Sequence, residues 1–164
     1  MVMSTAVGRS IPSQRLVNVV NPGVRALLRS PLHSVVDQAL LMLHVVGRKT
    51  GRCYDIPVGY VALDGRFVVV TQHAWRANLR GVACVDATHA GHRWSMSVDL
   101  DEDRSSVAAT LHSVIEQIGW QAARRRLGLT ITVRRTPTLA ELEEAVAEYH
   151  LATITLTPGR AWAE

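Results

Sequence analysis

Two hydrophobic periods divide the chain. Between residues 38 and 98 apolar positions fall in short runs or on every second residue. From Val107 to Val146 they return at helical spacing. Ahead of both, Asn21-Pro22 offers a helix cap followed by a proline, tolerated at the first helical position because its missing N–H has no partner there anyway. Leu16, Val19 and Val20 before this signal, and Val24, Leu27 and Leu28 after it, outline two short amphipathic pieces with Arg15, Arg25 and Arg29 on the polar side. Ser30-Pro31 repeats the signal and starts a helix to about Asp37. The run ALLMLHVV at 39–46 is either a buried strand or a strand reached from a helix end.

After a glycine-flanked turn, CYDIPVGYVAL reads as strand, Asp64-Gly65 as a tight turn and RFVVVT as the next strand. Trp75 to Leu79 suits one or two helical turns. VACVDAT and HRWSMSV, around Ala90-Gly91, predict another hairpin. These connections are too short for the crossover helices of a parallel sheet, so the pattern predicts a small antiparallel barrel. Asp99, with Glu102 three residues on, is expected to cap a helix. Val107, Leu111, Val114, Ile115 and Ile118 form its buried face. Gly119 interrupts it, and a second piece carries Arg124, Arg125 and Arg126. Thr138 and Glu141 predict a capping box for a helix buried through Leu139, Leu142 and Val146. LATITLTP is the closing strand, ended by Pro158 and expected to return to the barrel. The expected fold is α+β, mostly β with N-terminal helices and a helical insertion before the last strand. One domain over 15–158 is expected, with flexible tails at 1–14 and 159–164.

A length of 164 residues with 48% hydrophobic positions supports one full core and argues against a disordered chain. Cys53 and Cys84, the two cysteines, make neither a disulfide framework nor a C-x-x-C site, which favours a reducing, cytoplasmic setting. The first residues lack the apolar run of a secretory signal, and the longest apolar stretch is far below the ~18 residues of a membrane span. A formal charge of +4 invites an anionic partner. Nucleic acid is not expected: there is no finger, no zipper heptad and no aromatic strand for stacking bases, Phe67 being the lone phenylalanine.

The basic residue types concentrate usefully in one place, GRKTGR at 47–52, which holds Lys49, the only lysine. Gly47 and Gly51 permit positive φ and leave backbone N–H groups uncovered. Lys49 offers a point charge, Thr50 a hydroxyl, and Arg48 or Arg52 a two-pronged contact. Such a set suits phosphate or carboxylate, although alternation in a hairpin lets only two or three side chains face one ligand. An exposed basic turn that keeps the chain soluble fits the same residues, and the Walker pattern is absent. Pro57, within the following strand, marks an edge, a strand start or a bulge, because proline cannot donate to a ladder. Gly59 leaves the same face open.

Taken together and in order, NPGVRALLRSPLHSVV, GRKTGRCYDIPVGY, DGRFVVV and WRANLRG resemble the actinobacterial deazaflavin-dependent nitroreductase/quinone reductase family. The resemblance covers about Asn21 to Gly81. It implies a split β-barrel of the FMN-binding-like type, coenzyme F420 as cofactor, with FMN as the alternative, and hydride transfer to a quinone-like or other conjugated acceptor. Residue by residue, it implies that Lys49, Thr50 and Gly51, with Arg48 and Arg52 beside them, bind the coenzyme's phosphate. It places Pro57 near the deazaflavin ring and Trp75 and Asn78 along the cofactor groove. Arg76 and Arg80 are basic candidates for the coenzyme's acidic tail, or ordinary solvated arginines. The loop 71–74 is shorter than the family's usual one, and the chain has three tyrosines, Tyr54, Tyr60 and Tyr149, where nitro-reducing members carry several near the C-terminal helix. Quinone reduction and cofactor binding without turnover, as a carrier of F420, FMN or haem, both stay open.

Among seven histidines, His73 lies in the loop before Trp75 and is the candidate proton donor to a substrate oxygen; an ordinary loop histidine is the alternative. His44, inside an apolar strand, reads as a hydrogen-bonded interior group. His89 and His92, with Asp86 nearby, straddle a turn and lack a third ligand fixed by spacing, so no metal site is expected. A homodimer is the expectation carried by analogy with split-barrel flavoproteins. The amphipathic stretch 15–37 also suits a peripheral contact with a membrane surface.

Overall fold

The structure, a computed structural model, describes residues 7–9 and 40–159. Seven strands form one antiparallel sheet: β2 (Leu40–Val46), β3 (Cys53–Gly59), β4 (Val61–Leu63), β5 (Arg66–Thr71), β6 (Cys84–His89), β7 (His92–Asp101) and β9 (Ala152–Pro158). Their spatial order is β3-β2-β6-β7-β9-β5-β4. The sheet curls into a half-barrel, the split β-barrel architecture. Strands β1 (Val7–Arg9) and β8 (Leu129–Ile131) pair separately, antiparallel. A 3-10 helix, Ala74–Leu79, links β5 to β6. Helices α1 (Arg104–Ile118), α2 (Trp120–Arg126) and α3 (Leu139–Tyr149) lie between β7 and β9 in sequence. The proposed N-terminal helices at 15–37 fall outside the described residues.

Tight turns make the meander possible. Asp64 and Gly65, and likewise Ala90 and Gly91, all have positive φ, the pairing that matches the right-handed twist of hairpin strands. Closing strand β9 returns between β7 and β5 and hydrogen-bonds to both. Its position in the middle of the sheet fits its buried run Leu151 to Ile154. Two apolar cores result from the period-2 alternation. Leu41, Leu43, Val45, Phe67, Val69, Met96, Ile154 and Leu156 fill the curl of the sheet. Val68 and Val70 point the other way and pack against Leu111, Val114, Ile115, Leu142 and Val146 of the helices.

Several expectations are corrected by local chemistry. Asp99 does not cap α1. It lies in β7, because the alternation of Met96, Val98 and Leu100 carries the strand on to Asp101. The cap is Asp103, whose carboxylate accepts from the Ser106 N–H at 2.9 Å. Leu139 begins α3 but is 49% exposed, and Ala145 joins Leu142 and Val146 on the buried face instead. The Thr138–Glu141 capping box is present, with Arg135 clamping the Glu141 carboxylate at 2.7 and 2.8 Å. Pro57 sits on the edge strand without a bulge. The register from Leu40↔Gly59 to Val46↔Cys53 is unbroken, and an edge position spares the ladder the donor that proline lacks.

Candidate functional site

The turn 47–52 connects β2 to β3, and its backbone closes on itself. The Gly47 N–H donates to the Arg52 carbonyl and the Gly51 N–H to the Gly47 carbonyl, both at 2.8 Å. Both glycines are required, for different reasons. Gly51 has φ +67°, where a side chain is strained, while a Cβ on Gly47 would come within 2.8 Å of Thr50 Oγ1 and of a Tyr54 ring carbon. Thr50 Oγ1 lies 3.3 Å from the Tyr54 hydroxyl and accepts the Arg52 N–H at 3.3 Å. Arg48, Lys49, Thr50, Gly51 and Arg52 are all exposed. Among the described residues, the N–H groups of Lys49 and Thr50 and the Lys49 ammonium have no partner.

The second part of the site is the 3-10 helix, and the sequence separation between the two parts hides a direct link. The Asn78 side chain accepts the Arg48 N–H at 3.0 Å and donates to the Trp75 carbonyl at 3.0 Å. The Arg48 guanidinium reaches the Ala77 carbonyl at 3.1 Å. Asn78 thus ties the basic turn to the helix, and Arg48 is spent on that tie. Lys49 and Arg52 remain as the side chains able to meet an anion. Trp75 is half-buried and packs on the core inside the sheet.

Arg76 and Arg80 are committed elsewhere. Arg76 donates to Glu102 at 2.9 Å and to the His150 carbonyl at 2.8 Å, and Arg80 grips the same carboxylate at 2.8 and 2.9 Å. Hydrogen bonds from Arg80 and then Arg76 lower the Glu102 pKa to about 2. This triad pins the helix to the β7–α1 junction and to the end of α3. Glu102 was legible in the sequence only as a helix-cap partner. Its role here needed the fold.

His73 is exposed at the N-terminal end of the 3-10 helix, its N–H donating to Thr71 Oγ1 at 3.1 Å. Pro57 lies further along β3 from the turn, opposite Met42. The structure therefore joins the turn to Asn78 and Trp75, while His73 caps the start of the same helix, its carbonyl accepting the Arg76 N–H at 3.3 Å. His44 is a bonded interior group, with Nδ1 2.7 Å from Asp55 Oδ1 and Nε2 2.8 Å from Thr88 Oγ1. His89 faces the Tyr60 hydroxyl at 2.7 Å, and Asp86 is bound by Arg93 at 3.0 Å.

A curled antiparallel half-barrel with helices packed on one side, and a basic turn at one strand junction, defines an FMN-binding-like split β-barrel protein. More narrowly, the chain belongs to the F420H(2)-dependent quinone reductase family, whose model matches residues 29–134. That span holds the turn, Pro57, the 3-10 helix and α1. No curated protein matches the chain. Solved structures similar to it include a Bacteroides thetaiotaomicron protein ascribed to 5-nitroimidazole antibiotic resistance (10% identity, 94% of this chain and 84% of that one, TM-score 0.49). Others are the haem storage protein HutZ of Vibrio cholerae (15%, 80% and 91%, 0.48) and a pyridoxamine 5'-phosphate oxidase-related, FMN-binding protein of Nostoc punctiforme (17%, 92% and 83%, 0.45). Among the described residues no helix is long and apolar enough to cross a membrane.

Proposed function

We propose that this chain is an F420H2-dependent reductase whose turn 47–52 holds the phosphate of the coenzyme and whose acceptor is a quinone or a similarly conjugated molecule. Its membership of an oxidoreductase family supports the class of activity. The observation that carries the site is the Asn78 clamp on the Arg48 N–H, beside an exposed ammonium and two N–H groups that have no partner among the described residues. That donor set suits a phosphate: backbone N–H groups and a lysine give charge-assisted hydrogen bonds without needing a neighbouring carboxylate.

Lys49 and Thr50 would hold the phosphate, with Gly51 setting the left-handed bend that presents them and Arg52 at the rim. Trp75, fixed against the core, would form a wall of the groove, and Pro57 would lie towards the ring. The bound coenzyme supplies the hydride, and the protein's share is to orient it and keep water away. His73, exposed and next to the 3-10 helix, is the candidate donor of a proton to the acceptor oxygen. Arg76 and Arg80 are left out of this assignment because Glu102 already holds them. A homodimer, a cytoplasmic setting and a single domain over 15–158 belong to the same proposal.

The test is loss of F420H2 absorbance with menadione and related quinones as acceptors. Enzyme-dependent oxidation supports the reading, and none across several quinones removes it. Equilibrium dialysis against F420, FMN and haem separates the remaining cases. F420 binding without oxidation would make the chain a carrier. Tight FMN binding without F420 binding would replace the cofactor.

A further inference from the structure

We propose that His44, Cys53 and Asp55 form a binding site for a divalent first-row transition ion, with Zn²⁺ the best fit, on the face of the β2–β3 hairpin that points away from the barrel interior. One nitrogen, one sulfur and one oxygen donor lie within 4.8 Å of one another. Strand geometry explains the convergence. His44 and Asp55 are directly opposed, and Cys53 is the neighbour of Asp55 on the same face of β3. The three donors sit together on a face that Met42 and Pro57 continue on one side, while the alternate residues of β2, Leu41, Leu43 and Val45, are buried on the other face.

The distances suit a metal. Ligands about 2.0–2.3 Å from a tetrahedral zinc stand roughly 3.3–3.8 Å from one another. The His44–Asp55 contact of 2.7 Å must therefore widen slightly and Cys53 swing inward. Cys53 can do so because it is exposed on the edge strand, which also gives the ion its approach. His44, 8% exposed, is the fixed element. Its Nε2 rests on Thr88 Oγ1 at 2.8 Å, and a hydroxyl can donate to that nitrogen or accept from it. With Nδ1 on the metal, Nε2–H would donate to Thr88, the outer contact that orients a ligating histidine. Asp86, opposite His44 on β6, is occupied by Arg93 and adds only negative potential.

Three protein ligands leave one position for water, so the site would be open rather than closed. Loading displaces the thiol proton of Cys53 to solvent, while the single imidazole proton of His44 passes from Nδ1 to Nε2, where Thr88 receives it. The site stands apart from the basic turn in residues and in chemistry, so it does not depend on the assignment of F420.

The experiment uses the full chain, reduced and stripped with chelator, titrated with Co²⁺ and then with Zn²⁺. One equivalent of Co²⁺ should produce a thiolate-to-cobalt charge-transfer band and tetrahedral visible bands, displaced by Zn²⁺. Calorimetry in buffers of different ionisation heat should show about one proton released, that of the Cys53 thiol. Cys84→Ala, which removes the other exposed thiol, should leave the spectrum unchanged, while Cys53→Ala should abolish the charge-transfer band. Thr88→Val should keep the band and weaken affinity about 10- to 100-fold. A wild-type chain that gives no cobalt–thiolate band, or a band that survives Cys53→Ala, would overturn the site.

Discussion

Replacing Asn78 by alanine cuts the hydrogen bond that, among the described residues, joins the basic turn's backbone to the 3-10 helix. Two bonds go: Oδ1 from the Arg48 N–H at 3.0 Å and Nδ2 to the Trp75 carbonyl at 3.0 Å. Each neutral bond is worth about 0.5–1.5 kcal/mol net. The Arg48 N–H is on an exposed turn, so water replaces the lost acceptor and no buried group is orphaned. The Trp75 bond is internal to the helix and costs stability locally. For the turn, the relevant figure is the first bond alone. It corresponds to about a 2- to 12-fold rise in the opening constant, using 1.4 kcal/mol per tenfold. Amide exchange at Arg48 should accelerate by that factor while amides in β2 and β9 keep their rates, because the turn opens without the sheet. F420 affinity should fall by no more than the same factor, since the clamp acts by holding the turn ready rather than by touching the ligand. Unchanged exchange at Arg48, with the variant folded, would refute the clamp.

Other outcomes follow from the same contacts. Glu102→Gln should remove an acid-sensitive component of stability. The Glu102 pKa is depressed from 4.5 to about 2 by Arg80 first and Arg76 second, so its contribution is complete above the unfolded carboxylate's range and is lost as pH falls from about 4.5 through 2. Thermal unfolding across that window should show a flatter acid limb in Glu102→Gln than in the wild type. Gly51→Ala should cost about 1–2 kcal/mol through its left-handed φ, read by urea unfolding, with no clash added because nothing lies within 4 Å of the new Cβ. Leu111→Ala, at a fully buried position between sheet and helices, should cost about 2–5 kcal/mol in the same measurement.

The parts of the fold legible in the sequence are those with short-range causes. Asp64-Gly65 and Ala90-Gly91 mark hairpins because two adjacent positive φ values need such residues. The Thr138–Glu141 box and the Gly119 break are visible for the same reason. Asp99 misleads because four acidic residues, Asp99, Asp101, Glu102 and Asp103, crowd into one short stretch, and only the length of β7 decides that Asp103 caps. The strand LTI and its partner VGR are too short to stand out, and their pairing is long-range. In the site, the donors of the turn are readable one by one. Their division of labour is not: Arg48 is drawn to Ala77 and Asn78, and Arg76 and Arg80 are taken by Glu102, all through contacts between residues far apart in the chain. His44 and Asp55 meet only because β2 and β3 pair in one register, which no spacing in the sequence announces.

Lys49 carries the most direct test of the phosphate site. It is exposed, and among the described residues it makes no ion pair, so its loss should leave folding unaffected. A charge-assisted hydrogen bond to phosphate is worth roughly 1.5–3 kcal/mol, which is about a 10- to 150-fold change in affinity. The measurement is F420 binding by wild type, Lys49→Ala and Lys49→Met at two salt concentrations, with thermal unfolding as the check on folding. The account predicts affinity weakened by that factor in both variants, a smaller salt dependence than wild type, and relatively better binding of a coenzyme fragment that lacks the phosphate. Equal F420 affinity and equal salt dependence in all three proteins would contradict it and leave 47–52 as a solubilising turn.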